Sequence, residues 1–291
     1  NISIRQLQRL VKKYKREGAN GLAHKSRGRQ SNNKMLPTQE VKIIEIVAKR
    51  YYDFGPTFAS EKLLENEGIK ISDEKLRQLM IREHLWVTKK IKVKALHQMR
   101  DRRSKEGELV QIDGSPHAWF EDRGDSCCLI VYIDDATGML KKLHFCDTET
   151  TNDYFITTKS YIKRYGIPGA FYSDRHGIFR INTKELNCKY IDENKGLTQF
   201  GRAMKELKIE LINANSPQAK GRVERSNKTL QDRLVKELRL AGISTIKEAN
   251  EFVTEFIKKY NKKFAVIPKS ADNAHRALDS NIDLDIVLSK Q

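Results

Sequence analysis

Long apolar runs are missing from this chain: its 291 residues contain no stretch of eighteen or more apolar residues, so we predict no membrane-spanning helix. The first residues also lack the apolar segment of a signal peptide. Cysteine is scarce, and no Cys-x-x-Cys pair occurs, which argues against a zinc site or a disulfide framework. The cysteines are Cys127, Cys128, Cys146 and Cys188. We expect buried free thiols in a reducing cytosol.

Acidic residues are scarce only in the first third of the chain. Residues 1–105 contain 26 Lys and Arg against 11 Asp and Glu, whereas the other 186 residues contain 29 against 27. Most of the net charge of +17 is therefore concentrated in the N-terminal third. Such a segment is typical of a polyanion-binding region. DNA fits better than an anionic membrane, because a basic amphipathic anchor rich in Trp and Phe is missing.

Three acidic residues lie at or just beyond the ends of strands and helices that the pattern of apolar residues predicts. Asp113 follows the apolar run 109–112, Asp174 follows the apolar run 170–173, and Glu224 lies in the first turn of a helix entered from a polar loop. They can meet only by folding. Three like charges in one small volume are unfavourable without a cation, and divalent ions with oxygen ligands remove that cost.

Three motifs containing these acidic residues carry a resemblance. The motifs are Gln111-Ile112-Asp113-Gly114-Ser115, Tyr172-Ser173-Asp174-Arg175-His176-Gly177, and the stretch from Asn215-Ser216-Pro217-Gln218 to Glu224. In this order they resemble the signature blocks of DDE transposases and retroviral-type integrases. The stretches 198–202 and 260–266 look most like those of the ISNCY-type bacterial insertion-sequence transposases.

The resemblance implies a fold, a cofactor and a reaction. The fold is an α/β ribonuclease-H-like catalytic core over 106–262, with a five-stranded mixed sheet and flanking helices. Asp113, Asp174 and Glu224 would be the catalytic residues and would hold two Mg²⁺ or Mn²⁺ ions. The reaction is cleavage at transposon ends and transfer of the 3′-hydroxyl into target DNA. The partners are double-stranded DNA, both terminal inverted repeats and target, and a second copy of the chain or more, in the bacterial cytoplasm.

Two other functions stay open. A structure-selective nuclease of the same fold would cleave DNA without strand transfer. A non-catalytic DNA-binding protein would use the fold as a scaffold, although the presence of all three acidic residues argues against it.

The segments outside the core are predicted to be small all-α helix-turn-helix modules, basic linkers and a tail. Residues 1–35 should be the last helix of a helix-turn-helix, capped by Ser3, followed by a basic linker. An amphipathic helix packed on the core is the alternative. Residues 36–88 should form three helices, a second helix-turn-helix or a purely structural bundle, with Thr38 and Ser72 as caps. Residues 89–105 read as a linker along DNA, and 263–291 as a tail that begins a further domain.

Basic residues in these segments and beside Glu224 are the candidate DNA contacts. They are Arg5, Arg9, Lys12, Lys13, Arg27, Arg29, Lys90, Lys92, Arg222, Arg225 and Lys228. Arg27 and Arg29 resemble arms that enter the minor groove, although a solvated linker explains them equally well.

Other polar residues near the motifs are given structural roles. Asp134 and Asp135 lie in a predicted hairpin turn, which explains them better than metal binding. His117 and His176 have no partner readable from the sequence, so we expect a positioning or surface role. Fifty positions separate Asp174 from Glu224, and we assign the excess to a surface insertion.

Overall fold

The computed structural model describes residues 2–23, 35–87, 101–180, 197–213 and 221–290. The chain divides into two compact units, Asn1–Val93 and Lys94–Gln291, which we call the helical unit and the sheet unit. The finer domain limits and the helix-turn-helix assignment stay predictions. None of the helices in the described ranges combines the length and apolar character needed to cross a bilayer.

The described residues of the helical unit form four α-helices. They are α1 (Ile4–Glu17), which a short 3-10 turn follows, α2 (Pro37–Arg50), α3 (Pro56–Glu67) and α4 (Asp73–Arg82). The Ser3 cap is confirmed, because the Ser3 hydroxyl accepts a hydrogen bond from the Gln6 N–H at 3.3 Å. None of the fourteen residues of α1 is buried, and its apolar face is exposed.

Helices α2 to α4 form the small apolar core of this unit. Ser72 caps α4 as predicted, accepting from the Lys75 N–H at 3.2 Å. The Thr38 cap is wrong: α2 begins at Pro37, and Leu36 occupies the cap position without a side-chain hydrogen bond. Proline suits the first helical position because its ring fixes φ near the helical value. Its missing N–H loses no hydrogen bond, since an N–H at that position has no partner inside the helix. The core residues are Ile43, Val47, Tyr51, Phe54, Phe58, Ala59, Leu63, Leu76, Leu79 and Met80.

The sheet unit is built on five strands. They are β1 (Leu109–His117), β2 (Cys127–Asp134), β3 (Leu140–Cys146), β4 (Ala170–Ser173) and β5 (Glu210–Asn213). Their order is β3-β2-β1-β4-β5. β2 is antiparallel to both of its neighbours, whereas β1, β4 and β5 are parallel. This mixed sheet with its flanking helices is the ribonuclease-H-like arrangement that the sequence predicted, and the prediction is confirmed.

Helices cover both faces of the sheet. They are α5 (Thr151–Tyr165), α6 (Gln199–Glu206), α7 (Gly221–Leu240), α8 (Ile246–Phe264) and α9 (Leu284–Val287). One apolar core contains Val110 and Ile112 together with residues of α5 and α6. The core on the other face contains Leu129 and Val131 together with residues of α7 and α8.

Strand β1 does not end at Asp113, as the sequence analysis assumed. It continues to His117 because β2 keeps pairing with it: Asp113 lies opposite Val131, and His117 lies opposite Cys127. Strand β4 pairs with β1 only at residues 109–111. Asp113 therefore lies at the point where β1 loses one of its two neighbours.

The described residues after α8 pack on the sheet unit. The Val266 N–H donates to the Thr137 carbonyl at 2.9 Å, and the Ala274 N–H donates to the Glu106 carbonyl at 2.8 Å. Leu284 is buried in the core beside α5. The described part of 263–291 therefore packs on the sheet unit. That these residues begin a further domain stays a prediction.

Helix α8 covers the outer edge of β3 with two side-chain amides. Asn261 accepts from the Leu140 N–H and donates to the Leu140 carbonyl, both at 2.8 Å. Asn250 does the same for the N–H and carbonyl of Phe145, at 2.8 and 2.9 Å. An open strand edge invites pairing with another chain, so these amides satisfy and protect the edge.

We expect Asn250→Ala and Asn261→Ala each to lower the free energy of unfolding by about 1–2 kcal/mol, because each leaves two backbone groups without a partner. The effects should add in the double variant, since the two contacts are about 16 Å apart along the helix. Urea denaturation measures both quantities. Glu251→Ala, an exposed change on α8, is the control and should stay within about 0.5 kcal/mol of the parent. Losses no larger than that of Glu251→Ala would contradict the role of the amides.

Candidate active site

Asp113 on β1 and Asp174, the residue directly after β4, occupy matching positions relative to these neighbouring parallel strands. The register pairs Gln111 of β1 with Tyr172 of β4, and each aspartate lies two residues beyond that pair. Parallel strands point their carboxyl ends the same way, so the fold brings two acidic residues far apart in sequence to one end of the sheet. Both aspartates are partly exposed.

The segment after β4 fixes the Asp174 carboxylate locally. Its Oδ1 accepts a hydrogen bond from the backbone N–H of His176 at 2.9 Å. The Ser173 hydroxyl contacts the Asp174 carbonyl and the Asn213 side-chain oxygen, each at 3.1 Å. His176 itself is exposed. Its backbone N–H positions the Asp174 carboxylate.

Helix α7 runs along β1 and contacts it through a polar ladder. The rungs of this ladder are the Val223 N–H to Gln111 Oε1 at 3.2 Å, Asn227 Nδ2 to Asp113 Oδ2 at 2.8 Å, and Gln231 Nε2 to the Ser115 hydroxyl at 3.2 Å. Every fourth residue of the helix thus meets every second residue of the strand. Asn227 could not be predicted from the sequence, because the partner that gives it a role is more than a hundred positions away.

Glu224 follows the first rung directly. It lies one residue after Val223, on the turn of α7 that contacts β1, and its side chain is exposed. Arg225 and Lys228 are exposed on the same stretch of helix. In the described part of the chain, no three His, Cys, Asp or Glu side chains are close enough to hold a metal ion. The meeting of all three acidic residues therefore stays a prediction.

The donor atoms around Asp113 nevertheless suit a hard cation. Asn227 Oδ1 is buried and has no hydrogen-bond partner among the described residues, although the same side chain donates to Asp113. A buried carbonyl oxygen without a partner, beside a carboxylate, can coordinate Mg²⁺ or accept a hydrogen bond from a metal-bound water.

A fourth carboxylate, Glu149, lies against the residue after Asp113. It precedes α5 and accepts a hydrogen bond from the Tyr154 hydroxyl at 2.6 Å. Burial raises the pKa of Tyr154 well above its usual value, and the nearby charges of Glu149 and Asp113 raise it further, so the phenol keeps its proton and can donate. A side chain at Gly114 would collide with this carboxylate, whose Oε1 would be 2.9 Å from an added Cβ.

We expect Gly114→Ala to lower the free energy of unfolding by about 1–2 kcal/mol, because the methyl group displaces Glu149 from Tyr154. In a Glu149→Ala background the same change should be neutral or stabilising, since alanine fits a strand better than glycine. Thermal or urea unfolding of the four variants gives the coupling between the two sites. Equal effects of Gly114→Ala in both backgrounds would contradict the contact.

Known proteins share this sequence pattern. A family model described as an integrase core domain matches residues 205–264, a segment that includes Glu224 but neither aspartate. The chain is 49% identical over 278 residues to a putative transposase, y4bF, of Sinorhizobium fredii (strain NBRC 101917 / NGR234), and the match covers 96% of this chain. It is 32% identical over 301 residues to the transposase for insertion sequence IS1202 of Streptococcus pneumoniae, which covers 91% of this chain.

The chain is therefore similar in sequence to two proteins described as transposases and, over residues 205–264, to the integrase core domain. It spans 60% and 63% of the lengths of these two relatives. Among solved structures, it is similar to the HTLV-2 integrase catalytic core domain in complex with magnesium (dimeric form), with 16% identity and a TM-score of 0.37 over 52% of this chain and 86% of that one. A simian T-cell lymphotropic virus intasome in complex with PP2A regulatory subunit B56 gamma gives 14% identity and a TM-score of 0.40, over 72% and 66%.

The predicted DNA contacts fall into three groups. Arg5, Arg9 and Lys12 are exposed on α1, and Lys13 is half-exposed there. The second group comprises Arg27, Arg29, Lys90 and Lys92, which lie outside the described residues, as does the predicted insertion. In the third group, Arg222 differs from Arg225 and Lys228: its side chain is 19% exposed and forms an ion pair at 2.6 Å with Asp135.

Asp134 and Asp135 lie at the end of β2, where the turn begins, and both side chains are buried. Asp134 Oδ1 accepts from the N–H and the hydroxyl of Thr137, at 2.8 and 2.7 Å, and Oδ2 accepts from the Gly107 N–H. Asp135 accepts from Gln111 and from the Arg103 N–H. The prediction that they serve the fold agrees with these contacts, although burial was not foreseen.

Proposed function

We propose that this chain is the catalytic part of a DNA transposase, which cleaves at transposon ends and joins the freed 3′-hydroxyl to target DNA. The observation that carries the proposal is that Asp113 on β1 and Asp174, directly after β4, each lie two residues beyond the Gln111–Tyr172 pair of these parallel strands, with Glu224 on the helix turn that contacts β1. The relatives at 49% and 32% identity are described as transposases, which supports the same reaction here.

Asp113, Asp174 and Glu224 would hold two Mg²⁺ or Mn²⁺ ions. Such ions activate the attacking oxygen and offset charge on the leaving oxygen in an in-line phosphodiester displacement. The chain's own part is positional. Asn227 and the His176 N–H hold the two aspartates in place.

The basic groups would bind the DNA backbone. Arg225 and Lys228 lie exposed within one turn of Glu224, where they would hold phosphates next to the scissile bond. Helix α1 would bind DNA through its exposed basic residues. Assembly on two transposon ends would require at least a homodimer. No Ser or Tyr nucleophile is needed.

We expect Asp113→Asn, Asp174→Asn and Glu224→Gln each to reduce strand cleavage below about one thousandth of the parent rate, because each removes an anionic oxygen needed for charge stabilisation. The measurement is single-turnover cleavage of labelled terminal inverted repeats by the full-length protein with Mg²⁺ or Mn²⁺. DNA affinity should change little, since these residues are not the phosphate contacts. Asp232→Asn, an exposed carboxylate on α7 paired with Lys236, is the matched control and should keep the parent rate.

The products of the parent protein separate the candidate functions. Cleavage followed by joining to a target supports the transposase, cleavage alone a nuclease, and binding alone a scaffold. Cleavage by Asp113→Asn at the parent rate would show that Asp113 has no catalytic role and would overturn the proposal.

The contribution of α1 to DNA binding can be measured by its salt dependence. We expect the Arg9→Gln/Lys12→Gln variant to lower the slope of log affinity against log salt by about 1.8, because each lost phosphate contact removes about 0.9. Fluorescence anisotropy at several salt concentrations gives the slope. The charge-matched control is Lys247→Gln/Lys259→Gln, which changes two exposed lysines of α8. Equal slopes for the two double variants would place the DNA contacts elsewhere.

A further inference from the structure

A buried polar cluster lies under the first turn of α7. Its residues are Gln111, Asp135 and Arg222, and we call them the anchor cluster. Gln111 Nε2 donates to Asp135 Oδ1 at 2.7 Å, and Arg222 Nη1 donates to the same oxygen at 2.6 Å. The other carboxylate oxygen, Oδ2, accepts from the Arg103 N–H at 2.8 Å. Gln111 is completely buried and Asp135 is 1% exposed.

The anchor cluster is connected directly to the backbone of α7. Gln111 donates with its amide nitrogen to Asp135, and its Oε1 accepts from the Val223 N–H at 3.2 Å. The first N–H groups of a helix have no partner inside the helix. Here a side chain from β1 supplies one, and Arg222 ties the same turn to the end of β2.

A buried carboxylate costs several kcal/mol unless it is paired, and a paired buried charge seldom adds net stability over an apolar replacement. What a fully satisfied buried network does supply is a single geometry. The anchor cluster has two connections to the candidate site: Gln111 lies two residues before Asp113 on the same face of β1, and Val223 directly precedes Glu224.

We infer that Gln111, Asp135 and Arg222 are positioning residues, which fix the height and rotation of the first turn of α7 and thereby hold Glu224 beside Asp113. The inference rests on the proposed function of these two acidic residues. Arg222 then acts through Asp135, inside the protein, rather than on a DNA phosphate. The two roles can be distinguished by experiment. Loss of a positioning residue raises the metal requirement, whereas loss of a phosphate contact weakens DNA binding.

The test compares Arg222→Met with Arg225→Met in the full-length protein. Methionine keeps most of the arginine's apolar volume and removes its charge. Loss of a residue that orients a metal ligand typically costs 10–100-fold. We therefore expect Arg222→Met to raise the Mn²⁺ concentration for half-maximal cleavage about 10–100-fold while DNA affinity and its salt slope stay near the parent values. Arg225→Met should do the reverse: weaker DNA binding, a slope lower by about 0.9, and an unchanged Mn²⁺ requirement.

Two further measurements do not depend on cleavage. Hydrogen–deuterium exchange of the peptide containing residues 221–226 should be faster in Arg222→Met than in Arg225→Met, because the first turn of α7 loses its ion pair with Asp135 and the Val223–Gln111 hydrogen bond opens more often. The variant Asp135→Asn/Arg222→Gln replaces the ion pair with an amide pair. It should recover slow exchange and most of the Mn²⁺ affinity relative to Arg222→Met.

Two outcomes would overturn the inference. If Arg222→Met weakens DNA binding and leaves exchange unchanged, Arg222 is a phosphate contact. If it lowers only the melting temperature, with the Mn²⁺ requirement and local exchange unchanged, the cluster is merely structural. A failure of the proposed function looks different: Glu224→Gln would then cleave like the parent, while exchange in residues 221–226 would still report whether the anchor cluster holds the turn.

Discussion

The polar ladder between β1 and α7 is the contact on which the geometry of the sheet unit depends. Two residues of a strand advance by about 6.6 Å and four residues of a helix by about 6 Å, so a helix lying along a strand can repeat one contact at these intervals. Gln111, Asp113 and Ser115 share one face of β1 because strand side chains alternate. The match persists over three rungs, which leaves α7 one height and one rotation on the sheet.

Apolar packing and the polar ladder have different tasks in this arrangement. Helix α7 also buries Val223, Leu230, Leu234 and Leu238 completely, and this burial supplies most of the attraction to the sheet. Apolar contacts tolerate small shifts along the helix axis, whereas hydrogen bonds between buried groups do not. The ladder therefore selects one register among those that the apolar face would allow. Because Asp113 is itself the middle rung, the same hydrogen bonds fix the helix and orient the carboxylate.

The sequence predicted those features that local patterning encodes. The hairpin of β2 and β3 and the Ser3 and Ser72 caps follow from alternation, turn chemistry and cap chemistry within a few residues. Motif order placed Asp113 and Asp174 on strands. The anchor cluster could not be predicted in this way, because Gln111, Asp135 and Arg222 are separated by 24 and 87 positions and each has an ordinary local explanation. The end of β1 was misplaced for a similar reason: a distant strand, β2, continues the pairing past Asp113.

The sheet register also explains why neighbouring aspartates have different tasks. Strand β2 is antiparallel to β1, so Asp134 lies opposite Val110, and the Asp135 N–H donates to the Leu109 carbonyl. These positions are three and four residues before Asp113, or about 10–13 Å along the strand. Asp174, which directly follows parallel β4, lies at the same end as Asp113. An acidic residue at the end of β2 can therefore reach the site only through an intermediary, and Gln111 is the side chain that spans the gap.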